Sequence, residues 1–234
     1  MTITSTHNRK LKEIRKLRMR KRWRERSGRF VAEGEDLLAA ADAAGWTALE
    51  RFCVAGSGLE GVEVEADLLA SASGIASGTR TLAVYEERWA QQPDGPLCVY
   101  LHGVHDPGNL GAVLRSAEAF GASCVALGPG STDPFGPKAV RASMGAVFTV
   151  PIAQEGPLPG VKIALVPGRG TPLRQIDIVR EEATLMVGSE REGLPEEAIR
   201  AADEVAHIPI TTNSLNAAMA ATIGLYELAP RITP

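Results

Sequence analysis

The sequence predicts an α/β protein whose larger part is built on a mostly parallel sheet. Three observations carry that expectation. From residue 97 onward, short apolar runs alternate with helical segments, the pattern of repeated strand–helix units. The first of these runs, 97–101, is almost continuously apolar, as a strand covered on both faces requires. Turns rich in Gly, Pro and Asn follow the runs directly, at the strand ends where open α/β sheets place their ligands.

The elements follow in order. Residues 11–26 read as one helix, with Leu11, Ile14, Leu17 and Trp23 along a thin apolar side and basic residues elsewhere. Strands are expected at 30–32, 51–55 and 81–85, with a helix over 35–44 that Gly45 ends. Residues 91–96, Gln-Gln-Pro-Asp-Gly-Pro, have the composition of a linker. Beyond it come strands at 97–101, 123–127, 148–152, 163–166, 184–187 and 205–208. A helix over 110–120 is stopped by Gly121, and a last helix covers 214–228. The chain therefore divides into 1–92, a basic arm with a small α/β domain, and 97–234, a larger α/β domain.

Charge is distributed unevenly. The net charge is −3, yet residues 1–29 hold twelve Lys and Arg against only Glu13 and Glu25, leaving −13 on the remainder. A one-signed segment on an acidic protein suggests a phosphate-rich partner, and Arg18, Arg20, Lys21 and Arg22 are its centre. No apolar run approaches the roughly 20 residues of a membrane-spanning helix, and the N-terminus leads into charged sequence, so neither a membrane nor a secretory route is expected. Cys53, Cys98 and Cys124 are few and widely spaced, which fits reduced thiols in a cytoplasmic protein rather than a metal or disulfide framework.

Three segments carry the chemistry. In 103–117, Gly-Val-His-Asp-Pro-Gly-Asn-Leu-Gly-Ala-Val-Leu-Arg-Ser-Ala, a strand ends, a turn follows and a helix begins. Gly108 and Gly111 permit close backbone approach, and Arg115 lies about one and a half turns into the helix. This turn lacks the dinucleotide pattern G-x-G-x-x-G. In 185–195, Leu-Met-Val-Gly-Ser-Glu-Arg-Glu-Gly-Leu-Pro, a strand ends in Gly188 with Glu190 two residues later. In 208–221, Ile-Pro-Ile-Thr-Thr-Asn-Ser-Leu-Asn-Ala-Ala-Met-Ala-Ala, Ser214 is the expected N-cap of a helix rich in small residues that can pack close to backbone, ligand or a second copy. His102 and His105 flank a strand end without a third metal ligand nearby in sequence, so no metal is expected.

Taken together, these segments resemble the three conserved motifs of the SpoU (TrmH-like) RNA 2′-O-ribose methyltransferases of the SPOUT superfamily. The resemblance extends through Thr-Asp-Pro-Phe-Gly-Pro-Lys-Ala-Val-Arg-Ala-Ser-Met-Gly-Ala at 132–146, and 24–38 looks like the N-terminal RNA-binding module of many members. It implies a SPOUT domain with a deep trefoil knot and a homodimer whose active site uses both subunits. It also implies S-adenosylmethionine held by the loops around Val187, Gly188, Ile208, Ile210, Ser214, Leu215, Asn216 and Ala217. Asn109, Arg115, Glu190, Ser214 and Asn216 fall on the family's functional positions, and Lys138 and Arg141 join the arm as RNA contacts. The sequence departs from the family in two motifs: the third is short at Thr211-Thr212, where Asn213 replaces an acid, and in the second Arg191 stands where glycine is common. The implied reaction moves the donor's methyl group to a ribose 2′-oxygen. Arg115 orients the nucleotide and stabilises charge, because a guanidinium is a poor base at neutral pH. The N-terminal module favours ribosomal RNA as substrate. The alternatives are a transfer-RNA methyltransferase and a non-catalytic RNA-binding or ribosome-assembly factor on the same scaffold.

Overall fold

The computed structural model describes residues 2–73, 78–154, 156–178 and 182–232. In chain order the first elements are α1 (Arg9–Met19), α2 (Lys21–Ser27), β1 (Arg29–Glu33), α3 (Glu35–Ala43), β2 (Glu50–Val54), β3 (Val62–Val64), α4 (Ala66–Ser73) and β4 (Thr81–Glu86). There follow β5 (Leu97–His102), α5 (Pro107–Ala119), β6 (Cys124–Leu127), α6 (Pro137–Ala142), α7 (Ala146–Thr149), β7 (Ile152–Gln154) and β8 (Val161–Leu165). The last are β9 (Thr171–Pro172), β10 (Ala183–Gly188), α8 (Glu196–Arg200), β11 (Glu204–His207) and α9 (Ala217–Ile232). They form two compact units: Met1–Glu87 with Phe135–Phe148, and Arg88–Pro134 with Thr149–Pro234. The first unit thus includes a stretch that the sequence boundaries at 92 and 97 assign to the larger domain.

The first unit has a four-stranded sheet in the order β1-β4-β2-β3, with β4 antiparallel to both its neighbours. Leu11, Ile14 and Leu17 of α1 are buried with Phe52, Leu69 and Leu82. The one helix expected over 11–26 is two. Arg20 is extended (φ −128°, ψ 105°), and Arg24, only 5 % exposed, turns its Nη1 back to donate to the carbonyls of Leu17 and Arg18. A guanidinium thereby satisfies the carbonyls that α1 leaves open at its end. A separate aromatic core joins Phe30, Trp46 and Tyr85 to Phe135 and Phe148. The Phe30–Phe135 ring centroids are 4.9 Å apart, and Trp46 Nε1 donates to the Phe148 carbonyl at 2.8 Å. The expected strand at 148–152 is therefore replaced by the single turn α7 and the later strand β7; a short apolar run does not by itself distinguish a strand from a buried helical turn. β3 and α4 have no counterpart in the sequence expectation. Residues 56–61 do spell G-x-G-x-x-G, but they join β2 to β3, so no helix N-terminus meets them to hold a pyrophosphate.

The second unit is the expected α/β domain. Its seven strands run parallel in the order β7-β6-β5-β10-β8-β11-β9. β10 lies between β5 and β8, in register with Gly188 opposite His102, so loops far apart in sequence leave one edge of the sheet together. α5 and α9 pack against each other, joined by a 2.6 Å hydrogen bond between the Ser116 and Thr222 hydroxyls. The small residues of α9 let it lie close on the sheet: a methyl group at Gly224 would come within 2.4 Å of Leu185 Cδ2. No helix among the described residues is long and apolar enough to cross a membrane.

Candidate active site

Three loops meet beyond the carboxyl ends of β5, β10 and β11. After β5, Asp106 caps α5 by accepting the Asn109 backbone N–H on Oδ1 at 2.9 Å, with Pro107 in the first turn where its missing N–H does no harm. That cap fixes the backbone at Asn109. After β11, the expected cap Ser214 gives way to Asn216. Its Oδ1 accepts from the backbone N–H groups of Ala218 (2.9 Å) and Met219 (3.3 Å), and α9 begins at Ala217. With Oδ1 committed to the helix, Asn216 presents Nδ2 outward and donates to Asn109 Oδ1 at 2.9 Å. Asn109 then has only its own Nδ2 left, and donates it to Glu190 Oε1. The helix cap thus dictates the direction of a chain that runs Asn216 to Asn109 to Glu190 and ends on a carboxylate.

Glu190 rides on a tight turn after β10. The Gly193 N–H donates to the Ser189 carbonyl at 2.9 Å, and Ser189 Oγ accepts from the Glu192 N–H at 3.2 Å. Gly188 is pressed against the returning chain, where an added Cβ would lie 2.0 Å from the carbonyl carbon of Gly193. Beside this turn opens a cleft of about 420 Å³ between the loops that follow β8, β10 and β11. Leu165, Val187, Leu194, Ile199, Ile208, Leu215 and Ala217 form its apolar walls, and Arg169, Glu190, Arg191, Glu192 and Glu196 its charged rim.

Of the residues expected to hold a donor, Val187, Gly188, Ile208, Ile210, Ser214, Leu215 and Ala217 line this cleft, and Asn216 belongs to the polar chain at its side. Asn109, Glu190 and Asn216 are brought together from three separate segments. Arg115 is not: it is exposed on α5 and is not among the described residues lining the cleft. The wall formed by Leu165, Val166 and Arg169 after β8, and by Glu196 and Ile199 of α8, was not expected from the motifs. The rule that ligands gather at strand ends points to the first of these.

In the first unit, Arg20, Lys21 and Arg22 are exposed around Trp23, whose ring lies 4.3 Å from Lys16 Nζ, and Lys138 and Arg141 are exposed on α6. Arg18 differs from the expectation of an RNA contact. Its side chain is only 13 % exposed, pairs through Nε with Glu33, and donates from Nη1 to the Ala72 carbonyl at 2.9 Å. Its charge serves the interior. Burial raises the Glu33 carboxyl above its usual range even though Arg18 and Arg141 pull it down. His102 Nδ1 lies 3.2 Å from the Tyr100 hydroxyl, and no three His, Cys, Asp or Glu side chains come together as metal ligands among the described residues.

Comparison with known proteins places the chain in a family. Residues 96–226 match the SpoU rRNA Methylase family, and residues 8–90 match the MRM3-like substrate binding domain. The Bacillus subtilis 23S rRNA (guanosine(2553)-2′-O)-methyltransferase RlmP is 27 % identical, with 97 % of this chain and 98 % of that protein covered. A Mycobacterium bovis protein described as an uncharacterized tRNA/rRNA methyltransferase is 32 % identical, with 74 % of this chain and 67 % of that protein covered. Among solved structures, the AdoMet-bound rRNA methyltransferase from Sinorhizobium meliloti superposes with a TM-score of 0.89 at 31 % identity, covering 100 % of this chain and 98 % of that one. With the family match spanning more than half of its length, this chain is a member of the SpoU rRNA methylase family.

Proposed function

We propose that this chain is an S-adenosylmethionine-dependent methyltransferase that modifies a ribose 2′-hydroxyl of ribosomal RNA. The observation that carries the reading is the apolar cleft ending on the Asn216–Asn109–Glu190 chain. The residues present fit the donor. The apolar walls suit an adenine ring, Gly188 lets backbone stand where a side chain would intrude, and carboxylates at the rim complement a sulfonium. When bound, the donor supplies an electrophilic methyl group on a good leaving group. The chain's own contribution is then to bind, orient and exclude water. Val187, Gly188, Ile208, Ile210, Ser214, Leu215, Asn216 and Ala217 hold the donor. Asn109 and Asn216 fix the position of Glu190, and Glu190 takes the edge of the incoming ribose. Ser214 stands on the same wall.

Arg115 enters through a second copy. Met219 and Tyr226 of α9 are 62 % and 64 % exposed, large apolar groups on one helix face, and Phe120 at the end of α5 packs edge-on to Tyr226 at 6.1 Å. A homodimer that covers this face lets the exposed Arg115 serve a site shared by two subunits, where it orients the nucleotide. The remaining assignments belong to the same reading. The second unit is the catalytic one, with the trefoil-knotted path of its superfamily. The first unit, residues 1–87 with 135–148, is the RNA-binding one, engaging phosphate through Arg20, Lys21 and Arg22, and through Lys138 and Arg141. The protein works in the cytoplasm, in keeping with three buried free cysteines.

The test uses radiolabelled donor and ribosomal RNA from cells lacking the gene. The expected result is label in RNA at one position that resists alkaline cleavage, the signature of a blocked 2′-oxygen. Donor binding without transfer to any ribosomal RNA would favour a transfer-RNA methyltransferase if transfer RNA takes the label, and a binding or assembly factor if neither RNA does.

A further inference from the structure

The turn after β8 has no counterpart in the motifs, yet its backbone is held at several points. Val166 N–H donates to the Ala206 carbonyl at 2.8 Å, which ties the turn to β11, and Arg169 N–H closes it onto the Val166 carbonyl at 3.3 Å. Glycines flank Arg169 on both sides, each in the left-handed region (Gly168 φ +66°, Gly170 φ +72°). A Cβ at Gly170 would stand 1.9 Å from the Val205 carbonyl oxygen. The two glycines and the close approach to β11 project the one residue between them in a set direction. That residue lines the donor cleft, and its Nη1 is held 2.6 Å from Glu196 Oε1 at the start of α8.

An arginine placed this way still has hydrogen-bond donors to offer. A guanidinium carries five N–H groups, and the contact with Glu196 engages Nη1. The pair is half exposed, with side chains 51 % and 59 % accessible, so it holds the guanidinium in place without a large energy of its own. The Arg169 cation keeps the Glu196 carboxyl below the ordinary carboxylate range, so Glu196 stays charged as an anchor near neutral pH. The rim otherwise carries Glu190, Glu192 and Arg191, the last lying between the two acids in sequence. An S-adenosyl donor brings a sulfonium and an ammonium, which the carboxylates match, and a single carboxylate, which needs a cation.

We infer that Arg169 is a specificity-determining residue of the donor cleft that reads the α-carboxylate of the donor's amino-acid tail. The inference rests on the donor reading above and adds a residue outside the three motifs. Its fork geometry suits a carboxylate better than a point charge does.

Calorimetry on the full chain tests it with three ligands: S-adenosylmethionine, decarboxylated S-adenosylmethionine and 5′-methylthioadenosine. The first two share the sulfonium and ammonium and differ in the carboxylate; the third lacks the amino-acid tail. Wild type should prefer the intact donor over the decarboxylated one by about tenfold, the size of one charge-assisted contact. Arg169→Ala should bring the two to parity while 5′-methylthioadenosine binds as before. Arg191→Ala should keep the preference. Arg169→Lys, which keeps the charge on a different head group, should retain part of it and covers the case in which the alanine variant is poorly folded. A preference that survives Arg169→Ala, or one that disappears with Arg191→Ala instead, overturns the assignment. Wild type that binds both donors equally overturns it and leaves the cleft a donor site. Wild type that binds none of the three ligands overturns the donor reading and the inference with it.

Discussion

Replacing Gly188 by alanine tests whether the turn after β10 is a wall of the donor site. The new methyl group would stand 2.0 Å from Gly193 C, 2.2 Å from Leu194 N and 2.3 Å from Gly193 O. Ordinary contact begins near 3.5 Å, so the returning chain must retreat by about 1.5 Å. All three atoms are backbone, so no flexible side chain can absorb the clash. The retreat also pulls on the 2.9 Å hydrogen bond from Gly193 N–H to the Ser189 carbonyl. Overpacking of this kind costs about 1–3 kcal/mol, which in a chain of this size lowers the melting temperature by roughly 2–12 °C. A shift above 1 Å in a positioning loop corresponds to about a hundredfold loss of turnover. Gly121→Ala is the control: unlike Gly188, Gly121 is left-handed (φ +67°), and a Cβ there meets nothing within 4 Å. It should lose a comparable 1–2 kcal/mol or so from backbone strain and leave donor binding intact. The assays are thermal melting and calorimetric titration with S-adenosylmethionine. Wild-type donor affinity in Gly188→Ala, with the melting temperature lowered, would refute the idea that this turn walls the donor.

Three further outcomes are expected. Neutralising Arg20, Lys21 and Arg22 together should weaken RNA binding and reduce the slope of log affinity against log salt by about two, with donor affinity unchanged; an unaltered slope would remove the arm from the interface. Arg115→Ala should cut single-turnover methylation by orders of magnitude at saturating donor and RNA. Arg115→Lys should be almost as inactive if the planar fork is what orients the nucleotide, and near-wild-type rates in the alanine variant would exclude Arg115 from the shared site. Burial makes the folded chain hold the Glu33 proton to higher pH than the unfolded chain does, so stability should fall as pH rises from about 4.3 through the raised folded value. Glu33→Gln should flatten that part of the curve, and an identical slope would mean that another group sets it.

The parts of this protein that were legible in its sequence are those governed by local rules. Continuous apolar runs gave the parallel strands, and turn residues after β5, β10 and β11 marked the loops that meet at the candidate site. What escaped was decided by tertiary partners. Arg18 and Arg24 look like surface charge, yet one is paired with Glu33 and the other closes the end of α1. No glycine or proline marks the break at Arg20; the Arg24 guanidinium of α2, seven residues on from Leu17, closes the helix end in their place. Ser214 and Asn216 are both competent caps, and the choice fell to Asn216, whose amide also reaches Asn109. The strand expected at 148–152 failed because Phe148 belongs to an aromatic core whose other rings lie up to about 120 residues earlier.

That aromatic core has a consequence for synthesis. Phe30, Trp46 and Tyr85 leave the ribosome well before Phe135 and Phe148 do, so the first unit cannot close its core when its own sheet is complete. At translation speeds of about 5–20 residues per second, roughly 3–13 seconds separate Tyr85 from Phe148. During that interval the nascent sheet carries unburied rings, and β5, α5 and β6 are made before the last of those rings arrives. A fragment cut at the end of β4 would remain permanently in that unfinished condition. The piece of chain that looks like a self-contained N-terminal module is therefore an incomplete folding unit, finished by later residues of the same chain that the ribosome has yet to read.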